Sequence, residues 1–264
     1  MRRVALGGLI VLGVLYGLLL LTVYFKQEAL IFHPIPLPAD ERLEAANVDE
    51  VSIPVEGAVL SALHLKLAEP KGVVFFLHGN SGNLRSWMTN IEFYRRVNYD
   101  LFMIDYRGFG KSTGNIESEA QLLADIRAAW AFVSPRYQGK KTVIYGRSLG
   151  SGLAAGLARD VQPDLTMLVT PYSSLDEMAR ERYPWIPTAL NRYPLPTDRW
   201  LTEIKKRIFI IHGDQDAVIP IRQAFALQKL RPDATMLVVP GAGHNDIQRF
   251  PLYLDTIAAT LAAL

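Results

Sequence analysis

Ser148 stands where a side chain could do nucleophilic chemistry. It is the centre of Gly146-Arg147-Ser148-Leu149-Gly150, after the β-favouring run 143–145 and before a stretch, 149–157, with helical spacing. A strand that turns straight into a helix forces its corner residue into a strained backbone conformation. Small residues two positions to either side relieve the crowding and leave the hydroxyl exposed at the sheet edge. Attack on a carbonyl then needs a base for the hydroxyl proton, a carboxylate to orient that base, and two N–H donors for the oxyanion. The five-residue pattern alone also describes an ordinary glycine-rich turn, so these partners decide its meaning.

Candidates occur at the carboxyl ends of apolar runs, where α/β sheets place their ligands. His78-Gly79-Asn80-Ser81-Gly82-Asn83 follows the run 73–77. Glycine there lets backbone amides turn inward, and we assign one oxyanion donor to Asn80 and the other to the residue after the serine, Leu149. A phosphate-cradling loop would need a Lys-Ser/Thr pair that this stretch lacks. Asp105 follows the run 101–104 and is a competing acid, with Arg107 expected beside it as a partner in holding the loop. His212-Gly213-Asp214-Gln215-Asp216 follows 208–211 and offers two carboxylates that could orient a histidine. His244, in the glycine-rich stretch 240–246, lies downstream of every other candidate and is the expected base.

The elements that must position these residues are legible in the spacing. Six apolar runs, 73–77, 101–104, 143–145, 165–169, 208–211 and 236–239, alternate with helical patterns at 85–97, 118–133, 150–158, 221–230 and 246–264. Continuous apolar strands separated by helices predict a mainly parallel sheet covered on both faces. Ser118 is the expected N-cap of its helix. Before the sheet, 48–55 and 60–67 alternate apolar and polar residues around a turn, which predicts an antiparallel hairpin with one wet face, His64 being structural.

With 264 residues, the chain fits one large α/β unit over 48–264. A net charge of +2 without a long basic tract argues against a nucleic-acid partner, and the absence of cysteine removes disulfides, thiolate nucleophiles and cysteine metal sites. Residues 4–25 form an uncharged apolar run of 22 residues, ~33 Å as a helix, enough for a hydrocarbon core of about 30 Å. No small-x-small cleavage site follows it, so 1–25 is expected to be a retained membrane anchor rather than a signal peptide. Arg2 and Arg3 precede the run and Lys26 follows it, which favours a cytoplasmic N-terminus and a catalytic unit on the extracytoplasmic, periplasmic side. Gly13 and Gly17 form a G-x-x-x-G pair through which two anchors could pack as a homodimer. Residues 26–47, with prolines at 34, 36 and 38, should run extended along the folded unit.

The order serine, aspartate, histidine is that of α/β-hydrolases. From about residue 25 to 264 the chain resembles that superfamily, most closely a membrane-anchored branch of serine hydrolases with BEM46-like and ABHD17-like members. The loop 78–83, Asp105-Tyr106-Arg107-Gly108-Phe109-Gly110-Lys111-Ser112, the Ser148 pentapeptide, 212–216 with Val218 and Pro220, and Gly243-His244 carry the resemblance. It implies an α/β-hydrolase fold and a catalytic set of Ser148, Asp216 and His244, with Asp214 as the alternative acid. No metal or organic cofactor is implied. It also implies acyl transfer on an ester or thioester, with an amidase or peptidase of the same fold, or a non-catalytic membrane-tethered binding module, as alternatives. Arg147 beside the nucleophile departs from the residues usual in the family and could favour anionic substrates. The segment 172–200, rich in aromatic residues that include Tyr172 and Trp185, should either cap the site and touch an acyl or lipid-like substrate or pack as a structural hairpin.

Overall fold

The computed structural model of the chain describes residues 2–264, apart from the side chains of residues 2–4 and 89. The main sheet has eight strands: β1 (Val48–Val55), β2 (Ala58–Leu65), β3 (Gly72–Leu77), β4 (Asp100–Ile104), β5 (Lys141–Arg147), β6 (Leu165–Val169), β7 (Arg207–Gly213) and β8 (Thr235–Val239). Their order across the sheet is β1-β2-β4-β3-β5-β6-β7-β8. β2 is antiparallel to both neighbours, and every pairing from β4 to β8 is parallel. This is the α/β-hydrolase arrangement that the sequence predicts. The N-terminal hairpin differs in one respect: β2 lies between β1 and β4 and is nearly all buried, so the wet face is confined to β1.

The helices are α1 (Arg2–Phe25), α2 (Gln27–Ile31), α3 (Leu84–Trp87), α4 (Ile91–Val97), α5 (Glu119–Val133), α6 (Leu149–Val161), α7 (Leu175–Arg182), α8 (Thr197–Glu203), α9 (Arg222–Leu230) and α10 (Pro251–Ala262). α5, α6, α8 and α9 pack on one sheet face through Ile126, Leu153, Leu201 and Leu227. α4 and α10 pack on the other through Phe93, Tyr253 and Ile257. Covered on both sides, β3, β4 and β6 are buried at every position, which is why their sequences do not alternate. Ser118 caps α5, accepting the Gln121 N–H at 3.1 Å. The expected helix 85–97 is instead α3 and α4 joined by a 3-10 turn at Met88–Asn90. The expected helix 246–264 begins only at Pro251, because proline suits a first turn and the extended Phe250 before it ends the preceding segment.

The N-terminal segment is tied to the loops that matter. Ala5–Phe25 is long and apolar enough to cross a bilayer, and none of it is buried. One residue, Lys26, separates it from α2. There Gln27 is buried, donating to the Leu190 carbonyl at 2.7 Å and accepting the Arg192 N–H at 2.8 Å. Glu28 accepts the Tyr193 hydroxyl at 2.7 Å and pairs with Arg192, while Phe32 packs edge-on against Tyr193 at 5.3 Å. Such an aromatic pair contributes about 1 kcal/mol beyond its burial. The chain then threads between two loops at the sheet's carboxyl edge: His33–Pro34 pairs with Ser81–Gly82, and Ile35 and Leu37 exchange backbone bonds with Gly82 and Gly110.

Candidate active site

β5 ends at Arg147 and α6 begins at Leu149, so Ser148 alone makes the turn, with φ 53° and ψ −123°. Positive φ is uncommon for a residue with a side chain and persists only where surrounding contacts dictate it. Here the Ser148 N–H donates to Val169 at 2.9 Å, and the Ser148 carbonyl accepts the Ser151 N–H at 2.8 Å. A Cβ on Gly146 would collide with the Gly150 carbonyl, and one on Gly150 with the Leu77 carbonyl. The glycines are therefore required by a strand and a helix that pass too closely for side chains.

His244 reaches this serine from the loop after β8. Its Nε2 lies 2.9 Å from Ser148 Oγ and its Nδ1 lies 2.7 Å from Asp216 Oδ2. Asp216, from the loop after β7, accepts the Val218 and Ile219 N–H groups on Oδ1, both at 2.8 Å. Burial pushes its pKa up, but hydrogen bonds from His212, His244 and the Ile219 N–H outweigh that and hold the carboxyl well below its ordinary range. An ionised Asp216 leaves the proton on His244 Nδ1, so Nε2 is free to accept the serine hydroxyl. The competing carboxylates are engaged elsewhere. Asp214 accepts the Gly241 N–H at 2.7 Å, and the buried Asp105 accepts the Leu84 N–H at 3.0 Å. The expected pairing of Arg107 with Asp105 does not occur: Arg107 binds Asp125 through two bonds of 2.6 and 2.9 Å, because its side chain runs back towards α5.

Asn80 and Leu149 lie on the same side as the serine. A Cβ at Gly79 would stand 3.5 Å from Ser148 Cβ, so the loop after β3 passes close beside Ser148. The Asn80 side chain is turned away to the Ile31 carbonyl at 3.0 Å, and its own carbonyl accepts the His33 N–H at 2.7 Å. Leu149 is the first residue of α6, where helix amides have no acceptor within the helix. Both residues line, with Ser148 and His244, a cavity of about 810 Å³.

Against known proteins, the family model described as "Serine aminopeptidase, S33" matches residues 68–194. Alpha/beta hydrolase domain-containing protein 17B of Xenopus laevis is 31% identical over 201 residues, which cover 73% of this chain and 67% of that protein. The human protein of the same name is 31% identical over 196 residues, covering 71% and 65%. The Pyrococcus furiosus esterase Pf2001 superposes with a TM-score of 0.69 at 20% identity, covering 87% of this chain and 99% of that one. The chain is an α/β-hydrolase. It belongs to the ABHD17-like branch of this family of serine hydrolases and spans about two thirds of the length of the curated relatives it matches.

The remaining residues of this α/β-hydrolase sort by what they touch. Arg147 is buried; its guanidinium donates to the His244 carbonyl at 2.9 Å and lies 5.2 Å from the Trp87 ring centre. It borders the cavity, but its observed partners brace the histidine loop. Tyr172 is fully buried under α6 and borders the cavity, its hydroxyl donating to the Leu149 carbonyl at 3.1 Å. Trp185 is 57% exposed on the cavity rim beside Tyr183. The aromatic segment thus divides: Tyr172, Tyr193 and Trp200 belong to the core, whereas Tyr183 and Trp185 project outward.

Two features escaped the sequence reading. His212, at the end of β7, places Nε2 2.8 Å from the Ile219 carbonyl and 3.3 Å from Asp216, bracing the carboxylate from behind. Its position two residues before the aspartate pair was the available signal. Leu19 and Val23 of α1, with Leu30 and Ile31 of α2, line the cavity that holds Ser148. No local pattern links a distant apolar helix to a serine more than a hundred residues later.

Proposed function

We propose that this α/β-hydrolase is a membrane-anchored serine hydrolase that cleaves an ester or thioester of an acyl or lipid-like substrate. Ser148 attacks the carbonyl while His244 takes its proton, and Asp216 keeps the imidazole oriented and stabilises its charged form. The N–H groups of Asn80 and Leu149 hold the oxyanion; loss of one such donor costs about 3 kcal/mol of barrier. His244 then protonates the leaving alcohol or thiol, and water admitted by the same base releases the acyl group from Ser148. No metal or cofactor enters these steps.

The observation that carries this reading is His244, hydrogen-bonded to Ser148 on one side and Asp216 on the other at the floor of a cavity walled by Leu30, Met178 and Ile186. An amidase or peptidase reading is favoured by the name of the matching family model. Fluorophosphonate labelling of the full chain tests the enzyme: wild type should label and Ser148→Ala should not. Failure of folded wild type to label would leave the membrane-tethered binding module. A panel of matched esters, thioesters and aminoacyl amides then separates the reactions.

Residues 1–25 serve as the anchor, 26–47 as the connecting segment and 48–264 as the hydrolase unit, with 172–200 supplying a small cap. The N-terminus is placed in the cytoplasm and the hydrolase unit outside it, and a reporter fused after Leu264 that reads cytoplasmic overturns that side. Gly13 and Gly17 would both accept a partner helix, since open space surrounds each where a Cβ would stand. Cross-linking in membranes, lost in Gly13→Leu, tests that homodimer.

A further inference from the structure

The anchor and the cap are joined at a depth that neither sets alone. The Tyr16 hydroxyl donates to the Trp185 carbonyl at 2.6 Å. Tyr16 lies nine residues before Phe25, the end of the apolar helix, so it sits about 14 Å back along the axis. A hydrocarbon core is about 30 Å thick. With 4–25 in a bilayer, Trp185 cannot remain in the water outside it. The side chains at that tip suit such a place. Tyr183 and Trp185 are 47% and 57% exposed and packed edge to face at 6.0 Å, so two large rings stand unburied where lipid would cover them. Between tip and anchor the cavity wall is apolar, formed by Leu19 and Val23 on one side and Met178 and Ile186 on the other, with Ser148 at its floor.

We infer that the cap tip, residues 183–186, inserts into the leaflet, and that the seam between it and α1 is a lateral port. Through it a long acyl chain passes from the leaflet to Ser148 without crossing water. This rests on the anchor and the nucleophile proposed above. The ligand class is an acyl ester or thioester whose chain already resides in the bilayer.

The full chain is tested in phosphatidylcholine vesicles. A chain that does not float with them overturns the anchor and the port together. For a chain that floats, tryptophan emission is compared in vesicles with and without lipid dibrominated at the 6,7 acyl positions. Quenching of wild type should exceed that of Trp185→Phe about twofold; equal quenching overturns insertion while leaving the hydrolase reading intact. The rates of Ser148 labelling by a long-chain fluorophosphonate in the vesicle and a short-chain one in water give a second readout. Trp185→Glu should lower the long-to-short ratio about tenfold, and an unchanged ratio overturns the port. A lysophospholipid and an S-acylated peptide of equal chain length, competing separately against the long-chain probe, tell a lipid source from a peptide source. Competition by neither overturns the ligand class.

Discussion

The two halves of the cavity at Ser148 are built on opposite terms. Its floor is made of strand ends and fixed bonds: Ser148 held at positive φ by its backbone, Asp216 bonded on both oxygens, His244 bonded on both nitrogens. Its outer wall is made of apolar side chains from α1, α2 and residues 175–190, held over the polar ties of Gln27 and Glu28 and partly open to solvent. Chemistry tolerates errors of a fraction of an ångström, whereas an acyl chain needs only apolar area of about the right shape. Changes to the floor should therefore alter rate or folding steeply, and changes to the wall should alter selectivity gently.

The largest contrast lies within one loop. Asp216→Asn should lower kcat roughly 10⁴-fold through the wrong histidine tautomer, while Asp214→Asn, two residues away, should leave it within about twofold. Steady-state kinetics on one activated ester decides this, and comparable losses in both would undo the distinction between the carboxylates. Next is Gly150→Ala, whose new Cβ meets the Leu77 carbonyl; a loss of about 3 kcal/mol is expected in urea unfolding.

A remote buried histidine gives a control for stability against pH. His64, hydrogen-bonded to Tyr137 at 2.7 Å, has its pKa lowered by burial from 6.5 to about 4. The unfolded chain therefore takes up this proton first as pH falls. Stability should drop by roughly 3 kcal/mol between pH 6.5 and 4 and level off below that, as far as this group is concerned. In His64→Gln the urea midpoint should lose that slope; an unchanged slope assigns the effect to other groups.

Arg147→Met should lower kcat about tenfold by freeing the His244 loop, without changing the preference between neutral and anionic esters. A selective loss on anionic esters would return Arg147 to the wall. The smallest effect belongs to the wall itself. Leu30→Ala should shift the preferred acyl length by one or two methylenes, each step changing kcat/KM only a few-fold, as a chain-length series would read.

Much of the floor could be read from sequence because it is written in short, local patterns. The glycines around Ser148 follow from backbone crowding, and the loops 78–83, 212–216 and 240–246 each follow an apolar run that becomes a strand. The choice between Asp214 and Asp216 needed the family motif, since only the folded turn sends one carboxylate to His244 and the other to Gly241. The wall was not legible in the same way. The aromatic residues of 172–200 look alike in sequence, yet helix α8 carries Trp200 into the core while Trp185 faces outward. That difference is set by packing over long separations.

Lys26 alone separates the apolar helix from α2, and α2 is fastened to Leu190, Arg192 and Tyr193 through Gln27 and Glu28. There is no slack in that joint. With that helix in a bilayer, an enzyme so moored would search in two dimensions, and its encounter rate would follow substrate per unit area of membrane rather than per unit volume. Adding inert lipid at constant total substrate should slow it in proportion, as though the substrate had been diluted.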